Sequence, residues 1–266
     1  MSLRTISSRD NPQYKLLKQL ADSAQARRKA GRTVLDGVHL CEAWLQHRGA
    51  PALCVVSEGA RTHAEVAAIL TDCDRRGGAC IVLPDALFAP LSQVGNGVAL
   101  LFVIDTPVAA AAQVDVPSLL LDGLQDPGNL GSIIRTAAAA GIPRVFCGAG
   151  TVAAWSPKVL RAGMGAHFAL EIIEDADLPA LVSQATLPVF ATSLHDALPL
   201  YECDLRQPCA WLFGHEGQGV SEALLQLADK RVIIPQNPQV ESLNVAASVA
   251  ICLFEQRRQN LAPAPR

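Results

Sequence analysis

From residue 118 onward the apolar residues fall into short unbroken runs, separated by mixed segments of helical spacing. Ser118-Leu-Leu-Leu-Asp-Gly123 is the first such run, and a continuously apolar strand belongs in a parallel sheet. A helix from about Asn129 to Ala140 follows, then strand Arg144–Cys147, helix Pro157–Met164, strand Phe168–Ile173 and helix Leu178–Gln184. Strands Pro188–Thr192 and Cys209–Phe213, helix Val220–Ala228, strand Val232–Ile234 and one last helix complete the series. The pattern predicts an open parallel α/β sheet with helices on both faces. Ser242 and Asn244 stand at the entrance of the last helix, where side-chain oxygens cap free N–H groups. That helix is rich in Ala and Val and nearly uncharged before Glu255, which predicts burial on every side.

The first third follows a looser alternation. Residues 10–30 carry helical spacing through Tyr14, Leu16, Leu17, Leu20 and Ala21, and Thr33–Gly37 reads as a short strand before a helix at Val38–His47. Strand and helix candidates then alternate at Ala52–Val56, Ala64–Thr71, Ala79–Leu83, Asp85–Leu91 and Val98–Val103. This is a small α/β unit. The Ala-rich segment 106–117 is bounded by prolines and holds no large core residue between Val108 and Val114, as a linker would. The expected division is therefore a domain at 1–105, a linker at 106–117 and a second domain at 118–266.

Composition changes the picture in two ways. Half of the 266 residues are hydrophobic and only 18% are charged, enough for a sizeable core in each of two domains. Eight cysteines lie mostly in apolar runs with no C-x-x-C spacing, which suggests reduced, buried thiols rather than disulfides or a zinc framework; no metal is expected. No apolar run reaches membrane-spanning length and no apolar signal segment stands at the N-terminus, so a soluble, cytoplasmic protein is expected. The net charge of −3 conceals a division: residues 1–32 carry +6 and the remainder −9. Arg4, Arg9, Lys15, Arg27, Arg28, Lys29 and Arg32 are thus candidates for contact with a phosphate backbone. A solvated helix face fits the same residues equally well.

Ligands of open parallel sheets gather at the carboxyl ends of the strands, so the loops there carry the functional reading. In Asp122-Gly-Leu-Gln-Asp-Pro-Gly-Asn-Leu-Gly-Ser-Ile-Ile-Arg135, Asp126-Pro127-Gly128 forms a turn and Asn129 is placed to cap the next helix. Arg135 is the odd residue, a permanent cation above small neighbours at Gly131, Ser132, Ala138 and Ala139. It suits a phosphate, although a guanidinium reaching to solvent fits as well. Phe213-Gly-His-Glu-Gly-Gln-Gly219 allows close backbone approach through its glycines, with Glu216 as a carboxylate for ribose hydroxyls or a partner arginine. Gly148-Ala-Gly-Thr-Val-Ala153 matches a dinucleotide fingerprint, but Trp155-Ser-Pro157 interrupts the helix that fingerprint needs. A nicotinamide enzyme is accordingly disfavoured.

Taken together, Asp126-Pro-Gly-Asn-Leu-Gly…Arg135, Phe213–Gly219, and Ile234-Pro235…Val-Glu-Ser-Leu-Asn-Val245 resemble the SpoU (TrmH) branch of the SPOUT methyltransferases. Ser156–Ala166 and Ile251-Cys-Leu-Phe-Glu255 add to the likeness, which covers residues 117–258. The front third, with Ile6-Ser-Ser…Asn11-Pro and Val34-Leu-Asp-Gly37, is similar to that family's RNA-binding accessory domain. The resemblance implies a C-terminal SPOUT domain with a trefoil knot, and a homodimer that completes each site. It implies transfer of a methyl group from S-adenosylmethionine to a ribose 2′-hydroxyl of rRNA or tRNA. By the same likeness Arg135, Asn129, Glu216, Ser242 and Asn244 would carry the chemistry; Gly214, Ile234 and Leu243, with Thr192, would line the cofactor. Gly163, His215, Gln236 and Pro238 depart from the usual family residues. A catalytically silent RNA-binding dimer is the alternative.

Overall fold

The computed structural model describes residues 4–94, 97–110 and 112–261. The chain forms two compact units, one running to Pro107 and including Trp155–Phe168, the other made of Val108–Ala154 and the chain from Ala169 onward. Residues 155–168 therefore pack with the first unit, although their sequence reads as part of the second domain. The reason is local: buried Thr33 donates its hydroxyl to the Trp155 carbonyl at 2.8 Å, and Trp155 and Trp44 pack their rings against Phe168.

The first unit comprises β1 (Arg4–Thr5), α1 (Pro12–Asp22), α2 (Ala24–Ala30), β2 (Arg32–Asp36), α3 (Val38–His47), β3 (Leu53–Ser57), α4 (Ala64–Arg75), β4 (Cys80–Leu83), α5 (Asp85–Phe88) and β5 (Leu100–Asp105). The strands stand in the order β1-β4-β3-β5-β2, parallel at β1/β4 and β4/β3 and antiparallel around β5. Residues 10–30 are two helices rather than one. Ser23 takes an extended conformation and its hydroxyl accepts from Ala26 N–H, so it ends α1 and caps α2.

The second unit holds β6 (Ser118–Leu121), α6 (Pro127–Ala140), β7 (Arg144–Gly148), β8 (Glu171–Ala176), α8 (Leu178–Ser183), β9 (Val189–Thr192), β10 (Leu198–Pro199), β11 (Ala210–Phe213), α9 (Glu222–Leu227), β12 (Lys230–Ile233) and α10 (Val245–Asn260); α7 (Pro157–Gly163) lies in the segment packed with the first unit. The seven strands are all parallel, in the order β10-β12-β9-β11-β6-β7-β8. β6 and β11 are buried along their whole length, as their unbroken apolar runs require. After Gly148 the chain turns rather than entering a helix, and the next helix waits for the Ser156 cap, which removes the dinucleotide reading.

Two expectations fail at α10. It is not buried on every side: Val249, Cys252, Leu253 and Gln256 face inward, while Phe254 is 47% exposed. The helix packs mainly along α6, which covers one face only. Its cap is Asn244 alone, whose Oδ1 accepts from Ala246 and Ala247 N–H at 2.9 and 3.2 Å; Ser242 lies exposed two residues earlier. At the sheet side of the same helix, buried Gln256 accepts from the Trp211 indole N–H at 2.9 Å. Among the described residues no helix is long and apolar enough to cross a membrane.

Candidate active site

Four parallel strands deliver their following loops to one end of the second sheet. β6 leads into 122–126, β9 into 193–195, β11 into 214–221 and β12 into 234–244. The β11 loop folds tightly on itself. His215 and Gly219 exchange backbone hydrogen bonds at 3.0 and 2.8 Å. A Cβ on Gly214 would lie 2.0 Å from the Gly219 carbonyl carbon, so only glycine allows this closure. The His215 ring nitrogen Nδ1 accepts from Gly217 N–H at 3.0 Å, which gives that departure from the family pattern a part in the turn. Asp122 ties the β6 end to the same loop: its N–H donates to Phe213 O at 2.8 Å and its carboxylate accepts from Ser221 N–H at 2.9 Å.

Glu216 joins the β11 loop to the β6 loop. One carboxylate oxygen accepts from Gln125 N–H, the other from Asp126 N–H and the Asn129 side-chain amide, each at 3.1 Å. Asn129 does not cap α6, as its sequence position suggests. Asp126 is the cap, accepting from Asn129 N–H at 2.7 Å, which releases the Asn129 side chain to bridge. Its Oδ1 accepts from the Asn244 amide at 2.9 Å, and Asn244 in turn caps α10. Glu216, Asn129 and Asn244 thus form one polar chain that links three loops separated by up to 115 positions. Partial burial pushes the Glu216 carboxyl up, but the Gln125, Asn129 and Asp126 donors outweigh it and hold the group below the usual glutamate range.

Beside this chain lies a cavity of about 320 Å³, within the usual range for small-molecule sites. Thr192, Gly214, Ile234 and Leu243, the four residues expected to line the cofactor, all line it together with Glu216 and Ser242, whereas Asn129 and Asn244 do not. Ser193, Leu194 and His195, absent from that reading, line it too; their position directly after a parallel strand is the signal that marks them. Gln236 donates its amide to the Val240 carbonyl at 3.1 Å and so closes the 236–240 turn at the rim.

Arg135 stands apart. It is exposed on α6, does not line the cavity, and has no hydrogen-bond or ion-pair partner among the described residues. The basic residues of the first unit divide. Arg27 donates to the Leu20 and Ala21 carbonyls at the end of α1, Arg32 pairs with Asp105 and Lys15 with Asp10. Arg4, Arg9, Arg28 and Lys29 are exposed and make no such pair among the described residues.

The model of the SpoU rRNA Methylase family matches residues 117–254. The chain belongs to the SpoU rRNA methylase family. It is 36% identical to an uncharacterized tRNA/rRNA methyltransferase of Synechocystis over 98% of this chain and 96% of that one. It is 31% identical to the 23S rRNA (guanosine(2553)-2′-O)-methyltransferase of Bacillus subtilis, over 96% of this chain and all of the relative. An AdoMet-bound rRNA methyltransferase from Sinorhizobium meliloti superposes with a TM-score of 0.85 at 26% identity, covering 98% of this chain and 99% of that one. This SpoU-family chain is accordingly an RNA methyltransferase, and S-adenosylmethionine is its methyl donor.

Proposed function

We propose that this chain methylates a ribose 2′-hydroxyl of ribosomal or transfer RNA in the cytoplasm, as a homodimer. The convergence of three distant loops through Glu216, Asn129 and Asn244, beside a cavity of the right size, carries the reading. The cavity suits a sulfonium donor. Among the described residues no lysine or arginine lines it, whereas Glu216 and Glu241 do. Backbone of the Gly214–Gly219 loop and the apolar side chains of Ile234, Leu243 and Val245 would hold an adenosine. The donor supplies an electrophilic methyl group.

The protein must then favour a developing alkoxide on a hydroxyl that scarcely ionises near neutral pH. Arginine cannot readily surrender a proton. Arg135 would instead grip the neighbouring phosphate and stabilise charge, with the phosphate oxygen drawing the hydroxyl proton. Ser242 and Asn129 would orient the ribose, while Glu216 fixes the loop that bears Asn129. Because Arg135 lies outside its own chain's cavity, a second copy would supply it. The half-exposed apolar side of α10 at Phe254 and Ile251 supports that arrangement. The knot implied by the family likeness would lie where the chain from β12 passes through 234–244 into α10. The first unit would add RNA affinity through Arg4, Arg9, Arg28 and Lys29.

Methyl transfer from labelled donor to rRNA and tRNA, followed by mapping of ribose methylation, tests the reading. Arg135→Ala should lower turnover by about two to three orders of magnitude and leave donor binding nearly unchanged. Turnover of that variant at the native rate refutes the role.

A further inference from the structure

Strand alternation in the first unit has a consequence on the face away from its main core. Leu53, Val55, Ile81 and Leu83 share one apolar cluster, so the residues between them point to the opposite side of β3 and β4. Cys54 and Cys80 are direct register partners on that side. Helix α4 packs against β4 and brings Cys73 to the same place. The three sulfurs lie within 4.8 Å of one another. Cys54 and Cys73 are fully buried, and Cys80 is half-buried beside the turn at Gly78, whose carbonyl its Sγ approaches at 3.8 Å.

We propose that Cys54, Cys73 and Cys80 form a three-thiolate site for one soft monovalent d10 cation of the Cu⁺ class, whose binding releases the three thiol protons to solvent. A point equidistant from three sulfurs at that separation is at most about 2.8 Å from each, while metal–thiolate bonds run near 2.3 Å, so each sulfur need move inward only about 0.5 Å. The donor set selects the ion. Thiolates alone favour soft cations, and closed structural zinc sites take four protein ligands. No fourth Cys, His, Asp or Glu ligand atom joins this cluster among the described residues. Asp72, on the same helix, is already held by Arg75 and Arg76. The site lies in the first unit, so it is separate from methyl transfer and does not rest on that assignment.

The full-length protein, reduced and handled without oxygen, is loaded with Cu⁺ and challenged with a Cu⁺-selective chelator. One ion per chain should remain, and copper-edge X-ray absorption should show three sulfurs at a single distance near ~2.3 Å. Cys80→Ser should abolish stoichiometric retention, whereas Cys203→Ser, outside the cluster, should keep it. Far-ultraviolet dichroism verifies that both variants are folded, and the absorption measurement on the native chain stands even if Cys80→Ser does not fold. Failure to retain Cu⁺, ligation by nitrogen or oxygen, retention of Zn²⁺ in preference to Cu⁺, or equal retention by a folded Cys80→Ser variant overturns the proposal.

Discussion

Glu216→Gln is the substitution that most directly separates positioning from mere stability. The native carboxylate accepts three N–H donors, two from the backbone of Gln125 and Asp126 and one from Asn129, all at 3.1 Å. Glutamine has the same shape but only one acceptor oxygen, and its amide would present N–H groups to N–H groups. At least one donor loses its partner. Hydrogen bonds to charged groups contribute about 1.5–3 kcal/mol each, but Glu216 is exposed and water replaces part of the loss. The expected destabilisation is therefore only about 1–2 kcal/mol. The effect on turnover should be larger. The stranded donor would shift the β6 loop and the Asn129 contact beside it, and a misplacement of about 1 Å can cost on the order of a hundredfold in rate. Denaturant unfolding and labelled methyl transfer on the same preparation measure both quantities. Turnover within about twofold of native, a free-energy difference of only ~0.4 kcal/mol, would break the link between loop positioning and chemistry.

The same variant makes a signed prediction for pH. The folded-state pKa of Glu216 lies below the ordinary value of 4.5. Its contribution to stability is then fully present above that value and is lost as pH falls through the lower, folded-state pKa. Native and Gln proteins should differ in stability at neutral pH and converge in acid. A difference that persists or grows as acid protonates the group contradicts the assignment of the charge as the source.

Other substitutions test other parts of the chain. Gly214→Ala places a methyl group 2.0 Å from the Gly219 backbone, so the loop must open; calorimetry should find donor binding lost while dichroism remains close to native. Gln256→Leu strands the buried Trp211 indole N–H, which now donates at 2.9 Å, and denaturant unfolding should show a loss of about 1–3 kcal/mol. Replacing Arg4, Arg9, Arg28 and Lys29 together by Gln should weaken RNA binding and reduce the slope of log affinity against log salt by about 3 if each contacts one phosphate. Replacing the paired Arg27 and Arg32 instead should leave that slope nearly unchanged.

Much of the second sheet was legible because parallel strands buried on both faces need near-continuous apolar runs, and residues 119–121, 189–191 and 210–213 supply them. Helix ends were less legible. Both Asp126 and Asn129 are good caps, and only the Asp-Pro-Gly turn geometry decides that Asp126 does the capping. The segment 155–168 reads as an ordinary strand–helix step, yet Thr33 and Trp44, more than a hundred positions earlier, hold it in the first unit. The cysteines show the same limit. Spacings of 19 between Cys54 and Cys73 and 7 between Cys73 and Cys80 fit no ligand motif; only strand register and the packing of α4 bring the sulfurs together.

Two observations in the second unit have one explanation under the proposed dimer. An all-apolar helix was expected to be covered on every side, yet α10 leaves Phe254 exposed. Arg135, which the family resemblance implies to serve a site completed by a homodimer, projects from α6, the helix against which α10 packs, with no hydrogen-bond or ion-pair partner among the described residues. A lone surface cation and an uncovered apolar face have unrelated causes if the chain acts alone. They have the same cause if a second copy covers this pair of helices and receives the guanidinium in its own cavity. The arrangement can be tested by mixing. Arg135→Ala and Glu216→Gln subunits should each retain at most about a hundredth of native turnover, but in a mixed dimer one of the two cavities would hold the native Glu216 of one chain and the native Arg135 of the other. Recovery of about a quarter of native turnover after random mixing fits a shared site, since half the dimers are mixed and each has one intact cavity. No recovery, with mixed dimers demonstrated by differential tagging, places Arg135 and Glu216 in the same chain's site and removes the reason for the dimer.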